Sequence, residues 1–232
     1  MKDIKKEICI AAVATLLSLL ASGLFATEVP GFLKGKVYVL DQANLSLIQK
    51  FEEAEKEFKK LKAGEAYFTG YTFMSRHKYH TGGEWISTEP FRATVEGNEI
   101  KLRRVSRWGK KAGEEVSEEE GKEQVGILLL HTLEANKGKV VDVQLMDLDH
   151  SYEFEEAPVY WLDAVANEES VNFIEGLFNS GNAELQKILV FTISAHDGLK
   201  SYDFLKRVAL GDYAREVRKN AVFWLGNYKD ER

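Results

Sequence analysis

The residues best suited to chemistry fall in two short stretches of this 232-residue chain. His77 and His80 stand in RHKYH. Imidazole is a common zinc ligand and the side chain that titrates nearest neutral pH. On a strand an i,i+3 spacing sends two residues to opposite faces. A joint site at His77 and His80 therefore requires a turn, and Gly82-Gly83 is near enough to supply one. No third ligand is evident beside them. Asp147, Asp149 and His150 follow a strand-like run, and the ends of strands are where ligands and catalytic groups collect. These three offer a divalent-cation site or an acid/base pair. The plainer reading is a polar turn leading to Tyr152, and the incomplete ligand set favours it. His131 alternates with Leu129 and Leu133 and reads as a hydrogen-bonded core or edge histidine.

Other chemistry is narrowed by what is missing. No GxSxG, HExxH, P-loop or dinucleotide fingerprint occurs. Ser170 reads as a helix-start residue rather than a nucleophile, with Asn167 beside it as a second capping candidate. Glu114, Glu115, Glu118, Glu119, Glu120 and Glu123 crowd the stretch 107–124, but the EF-hand order of ligands is absent, which leaves a solvated loop. One cysteine, Cys9, excludes an intramolecular disulfide and a cysteine-based metal cluster. A net charge of −6 argues against general binding to phosphate backbones. The expectation is a non-catalytic protein with no cofactor. The alternative is a cell-envelope metal-dependent enzyme or metal-binding protein using His77, His80, Asp147, Asp149 and His150.

The segments that would position these residues begin after an address. Residues 1–26 carry Lys2, Lys5 and Lys6, then an uncharged apolar run, then Ala21, Gly23 and Ala26. That is the layout of a secretory signal peptide, so the expected location is periplasmic or secreted, with a retained N-terminal anchor as the other possibility. Residues 44–63 have helical periodicity: Leu47, Phe51, Ala54, Phe58 and Leu61 share a stripe, Asp41 or Asn44 can cap the start and Gly64 can end it. From Ala66 the period becomes two. A run over 66–76, a hairpin over 91–105 turning at Glu96-Gly97-Asn98, and a second hairpin over 125–148 imply an antiparallel sheet of about five strands under the helix.

From Asn167 the pattern is helical and repeats at an offset of 32 residues. Leu185 matches Val217, Val190 matches Val222, Phe191 matches Phe223 and Ile193 matches Leu225; before them Phe173 matches Leu205 and Phe178 matches Leu210. Paired helices at such a period suggest an α-solenoid, because one pair has too little apolar surface to stand alone. The stretch GDYAREVRKNAVFWLGN, residues 211–227, resembles a HEAT repeat of the short bacterial type related to phycobilisome-lyase repeats. Residues 159–227 resemble secreted bacterial HEAT-repeat proteins of unknown function. The resemblance implies an inter-repeat ladder using Asp212 and Arg218, although Gln186 replaces the arginine in the earlier repeat.

The expected fold is therefore α+β: an N-terminal helix and antiparallel sheet, then a short all-α HEAT-like solenoid. The divisions are a signal peptide at 1–26, an α+β domain at 27–158 and helical repeats at 159–232. Residues 182–232 hold nine basic and seven acidic groups, a net of +2 in an acidic chain, which can steer an acidic partner to this end. The array is shorter than is usual and no polar cap follows the Phe223-Trp224-Leu225 helix. Hence the expectation of a protein-interaction module that contacts an unknown protein partner, or itself, through Arg218, Lys219, Phe223 and Trp224. No nucleic acid is expected, and no membrane beyond the possible anchor.

Overall fold

Alternating apolar runs broken by turn residues give strands, and the stripes of period near 3.6 give helices. The computed structural model describes residues 29–40, 44–62, 64–76, 91–104, 123–134 and 137–228. Within them the order is β1 (Leu33–Val39), α1 (Leu47–Leu61), β2 (Ala66–Ser75), β3 (Phe91–Glu96), β4 (Glu99–Arg104), β5 (Glu123–Glu134), β6 (Lys137–Met146), β7 (Tyr152–Ala164), α2 (Asn167–Ser180), α3 (Ala183–Ala195), α4 (Leu199–Leu210) and α5 (Arg215–Gly226). The segments read as a signal peptide, as the His77/His80 site and as the glutamate loop before Glu123 lie outside the described residues.

Both hairpins form. Gly97, at a φ of 61°, and Asn98 make the tight turn between β3 and β4, while β5 and β6 pair antiparallel with a bulge between Leu130 and His131. Helix α1 is capped not by Asn44 but by Ser46, whose hydroxyl and the side chain of Gln49 form a reciprocal capping box; Asp41 lies outside the described residues. Lys62 ends it in the left-handed conformation.

The expected architecture needs correcting on two counts. The sheet is mixed, with seven strands among the described residues in the order β4-β3-β7-β2-β5-β6, and β1 paired to β7. Its organiser is β7. At Tyr152, Glu153 and Phe154 this strand has parallel β1 on one edge and parallel β3 on the other; at Val159, Tyr160 and Trp161 it keeps β1 and exchanges β3 for parallel β2. One strand thus serves two stretches of sheet, and the sheet curls until β4 and β6 meet. There the buried carboxylate of Asp142 on β6 accepts the backbone N–H of Ile100 on β4 at 2.7 Å. The result is close to a closed barrel, which removes most of the free edge. Its interior is filled by Phe68, Leu128, Leu130, Met146, Phe154 and Trp161 among others. At Gly70 an added Cβ would lie 2.7 Å from the Trp161 ring, so the indole occupies the space that a side chain would need.

The second correction concerns the C-terminal helices, which are not a separate solenoid. Residues 159–164, inside the stretch that resembles helical repeats, belong to β7. Helices α2 and α3 lie on the outer face of the sheet, and Val171, Ile174, Leu189 and Ile193 share one core with Tyr71, Ile127, Leu129 and Val143. Polar stitching explains why they dock there. The Asn167 side chain accepts from Met74 N at 2.9 Å and donates to Met74 O at 2.7 Å and Asp197 O at 2.8 Å. Asp197 N and Arg76 N bond to Met74 O and Ala195 O. The end of β2 thus finds hydrogen-bond partners in the turn between α3 and α4. Buried backbone groups need such partners, and a free-standing helical array offers β2 none. The 32-residue register survives locally: ion pairs Lys200–Glu168 at 3.6 Å and Arg207–Glu175 at 2.6 Å join α4 to α2 between register mates.

Candidate functional site

Among the described residues, two places combine accessible or unsatisfied groups with a rigid support: the outer face of α5, and the β6–β7 turn.

On α5 the inward stripe is Val217 and Ala221, fully buried, with Trp224 and Leu225 half-buried against the core. The ring of Trp224 lies 5.0 Å from that of Phe191 on α3. The outward stripe reads Arg215, Arg218, Lys219, Val222 and Phe223, spaced so that they share one side of the helix. Val222 is 58% exposed and Phe223 is 63% exposed. Their register mates on α3 behave differently. Val190 is fully buried, and Phe191 is covered in part by Trp224. The same sequence positions therefore receive a covering layer on α3 and stand open on α5. Lys219 pairs with Glu216 on its own helix at 3.0 Å. Arg218 forms no ion pair among the described residues, Arg215 lies in the field of Glu216, and Asp212, exposed in the turn before α5, does not pair with Arg218. Gln186 has a local task instead of a ladder: its amide donates to Phe178 O at 3.0 Å, satisfying a carbonyl at the end of α2. The end of α5 is held down by Arg76, whose guanidinium sits 3.4 Å from the centre of the Tyr228 ring and donates to Asn227 O.

In the β6–β7 turn, Asp147 and His150 come together and Asp149 does not join them. Asp147 is 8% exposed and His150 is 6% exposed, while Asp149 points to solvent. Asp147 Oδ2 lies 3.2 Å from His150 Nδ1. The turn is pinned from below. Asp147 N donates to the Tyr152 hydroxyl at 3.0 Å, and that hydroxyl donates to Asp147 O at 3.1 Å. Asp147 Oδ1 accepts from Asp149 N at 3.0 Å. The Phe91 ring meets His150 edge-on at 5.3 Å and stacks on Tyr152. Among the described residues no group of three His, Cys, Asp or Glu converges as a metal site.

Two further histidines carry polar networks that periodicity alone could not reveal. His131 bonds Thr69 Oγ1 at 2.7 Å beneath α1 and stacks on Tyr67, in keeping with its reading as a hydrogen-bonded core histidine. His196 is fully buried and stacked on Phe73. Its Nδ1–H donates to Thr192 O at 2.9 Å, so Nε2 accepts from the Ser170 hydroxyl at 2.7 Å, and Ser170 in turn accepts from Tyr71 at 2.8 Å. Ser170 is thus a buried link in a chain of hydrogen bonds rather than a cap. A serine next to a histidine invites a nucleophile reading, but solvent reaches neither residue. Burial pushes both imidazoles from 6.5 down to about 3, so they are neutral at neutral pH. Asn167, a capping candidate by sequence, clamps β2 instead, and α2 has no side-chain cap.

No family model matches the chain, and neither a curated protein nor a solved structure is significantly similar to it.

Proposed function

We propose that the protein is a non-catalytic interaction module that docks an acidic partner protein against the outer face of α5. The observation that carries the reading is the contrast between register mates: Val190 is buried in the core and Phe191 is partly covered by Trp224 of the next helix, whereas Val222 and Phe223 stand exposed. A partner that supplies an apolar surface there would complete the layer. Arg218, which forms no ion pair among the described residues, favours a partner that carries carboxylates around that contact. The rigid attachment of α5 through Trp224 and Arg76 supports the reading, since an ordered face loses little entropy on binding. The signal-like residues 1–26 make the cell envelope or its exterior the compartment in which to look.

The test is retention of envelope proteins by the immobilised mature chain, compared with Phe223→Asp and Arg218→Glu. Burying the exposed part of a phenylalanine contributes about 1.5 kcal/mol or more, so the aspartate variant is expected to bind at least about tenfold more weakly. The expected result is a defined partner held by the wild type, released by moderate salt and lost in both variants, each of which keeps the wild-type melting temperature. Binding indifferent to both substitutions overturns the proposal. Concentration-dependent self-association lost in Phe223→Asp would reassign the face to a second copy of the chain.

A further inference from the structure

The seam between the sheet and the helices that cover it holds two histidines, and docking on α5 uses neither. His131 lies under α1, with the Phe51 ring 5.8 Å away. His196, at the end of α3, stacks on Phe73 of β2 at 3.7 Å and is bonded to Ser170 of α2. Both are buried. The bonds of His196 suit a neutral ring: Nδ1–H donates to Thr192 O and Nε2 accepts from Ser170, so a proton on Nε2 removes the acceptor. The titratable groups nearest the rings are tyrosines. Tyr67 of β2 stacks on His131, with Glu55 of α1 and Tyr160 of β7 acting on that tyrosine. Tyr71 of β2 reaches His196 through Ser170, with Glu169 of α2 acting on that tyrosine, and Asp197 follows His196 in the chain. Among the described residues neither histidine forms an ion pair with a carboxylate. His150 differs, because Asp147 Oδ2 stands 3.2 Å from it at ion-pair distance.

We propose that this seam is an acid-sensitive joint: in mild acid the helices α1 to α5 lift from the sheet while the barrel stays closed. The drive is protonation of the two rings. Each takes up a proton near 6.5 once water reaches it, and only near 3 while it is covered. Between pH 7 and pH 5 this linkage multiplies the opening equilibrium about 25-fold for each histidine, or about 600-fold for the pair. The barrel has the means to outlast the seam. Its interior is a separate core in which no described residue is a histidine, and separately packed units open separately. A proton on His150 meets the Asp147 carboxylate rather than an unpaired burial. Opening would uncover the apolar outer face of the sheet around Tyr71, Phe73, Ile127 and Leu129. It does not depend on what binds α5.

The experiment is hydrogen exchange of the full chain at pH 7 and pH 5, read by mass spectrometry and corrected for the intrinsic exchange rate at each pH. At pH 5 the amides of α2 and α3 are expected to open at least about tenfold more often than those of β7. They are also expected to open several-hundredfold more often than at pH 7 (about 600-fold from linkage). In His131→Gln and in His196→Gln that acid-induced rise is expected to fall about 25-fold. Glutamine still offers an oxygen to the neighbouring hydroxyl but does not titrate. Each variant is compared with itself at the two pH values, so a lower stability at pH 7 leaves the readout intact. A single opening constant shared by the helices and β7 overturns the proposal, since the molecule would then unfold as one unit. A rise unchanged by both substitutions overturns it as well.

Discussion

Mild acid is expected to destabilise this protein more than carboxylate titration alone would, because two histidines are held neutral inside it. Burial lowers the imidazoles of His131 and His196 from 6.5 to about 3. When the chain unfolds, each returns to water and takes up a proton near 6.5. The unfolded state therefore binds more protons than the folded state throughout the interval from 6.5 down to about 3. Stability is fully present above that interval and is lost progressively as the pH falls through it. At pH 5 an unfolded imidazole is almost fully protonated and a folded one is not, which amounts to about 2 kcal/mol per histidine relative to pH 7, or about 4 kcal/mol for the pair. That is a large share of the roughly 5 to 15 kcal/mol that holds a domain folded. Asp142 acts in the opposite sense. Desolvation raises its carboxyl above the usual value, so its contribution to stability grows as acid protonates it. The measurement is the free energy of unfolding from urea titrations at constant ionic strength between pH 7 and pH 5. The wild type should lose about 4 kcal/mol. His131→Gln and His196→Gln, each less stable at pH 7, should show about half the dependence on pH. An unfolding free energy that is flat to within about 1 kcal/mol over this range, or a slope untouched by either substitution, would refute the reasoning.

Two other outcomes test the joints of the fold. Asp142→Ala removes the acceptor that joins β6 to β4 and leaves the Ile100 and Val143 N–H groups without it; a loss of about 2 to 3 kcal/mol in urea unfolding is expected, with Asp142→Asn intermediate, and a loss below about 0.5 kcal/mol would mean that the barrel does not depend on this contact. In the network beneath α2, Tyr71→Phe removes a donor and leaves Ser170 still bonded to His196, whereas Ser170→Ala orphans both the Tyr71 hydroxyl and His196 Nε2. Tyr71→Phe should therefore cost about 1 kcal/mol and Ser170→Ala about 2 kcal/mol more; equal costs would show that water enters to replace the hydroxyl.

Local elements were legible where local physics determines them. Of the stripe of Leu47, Phe51, Ala54, Phe58 and Leu61, the first four are buried, while Leu61 at the helix end is exposed. Turn residues marked the hairpin at Gly97-Asn98 because few residues tolerate the conformation needed there. Capping was harder: Ser46 with Gln49 satisfies the box, but Asn44 and Asp41 carry similar signals nearby, and the choice depends on where the first helical turn is anchored. Here Glu169 on α2 accepts Leu47 N at 2.5 Å and helps fix that start, a contact between residues 122 positions apart. No window on the sequence contains it.

The larger misreading has the same origin. Strand β7 carries Tyr, Phe, Val, Trp and Leu at positions buried on both faces, and a strand covered on both faces loses the alternation that distinguishes it from a buried helix. Followed at once by true helices, its apolar run is continuous with their repeat in the sequence. The repeat itself is real as a spacing: Lys200 and Arg207 meet Glu168 and Glu175, their mates 32 positions earlier. Spacing cannot say what lies beneath the first pair of helices, however. That is decided by Asn167, Ser170 and His196, polar residues that a hydrophobic pattern passes over and that bond the helices to Met74 and Tyr71 on β2. The same distinction bears on the two candidate sites. Arg218, Lys219 and Phe223 on the exposed stripe of α5 follow from periodicity, whereas Trp224, expected beside them, packs against Phe191 and the core. The Asp147–His150 pair depends on how a turn is clamped by Tyr152, so the sequence offered three candidates, Asp147, Asp149 and His150, and packing selects two.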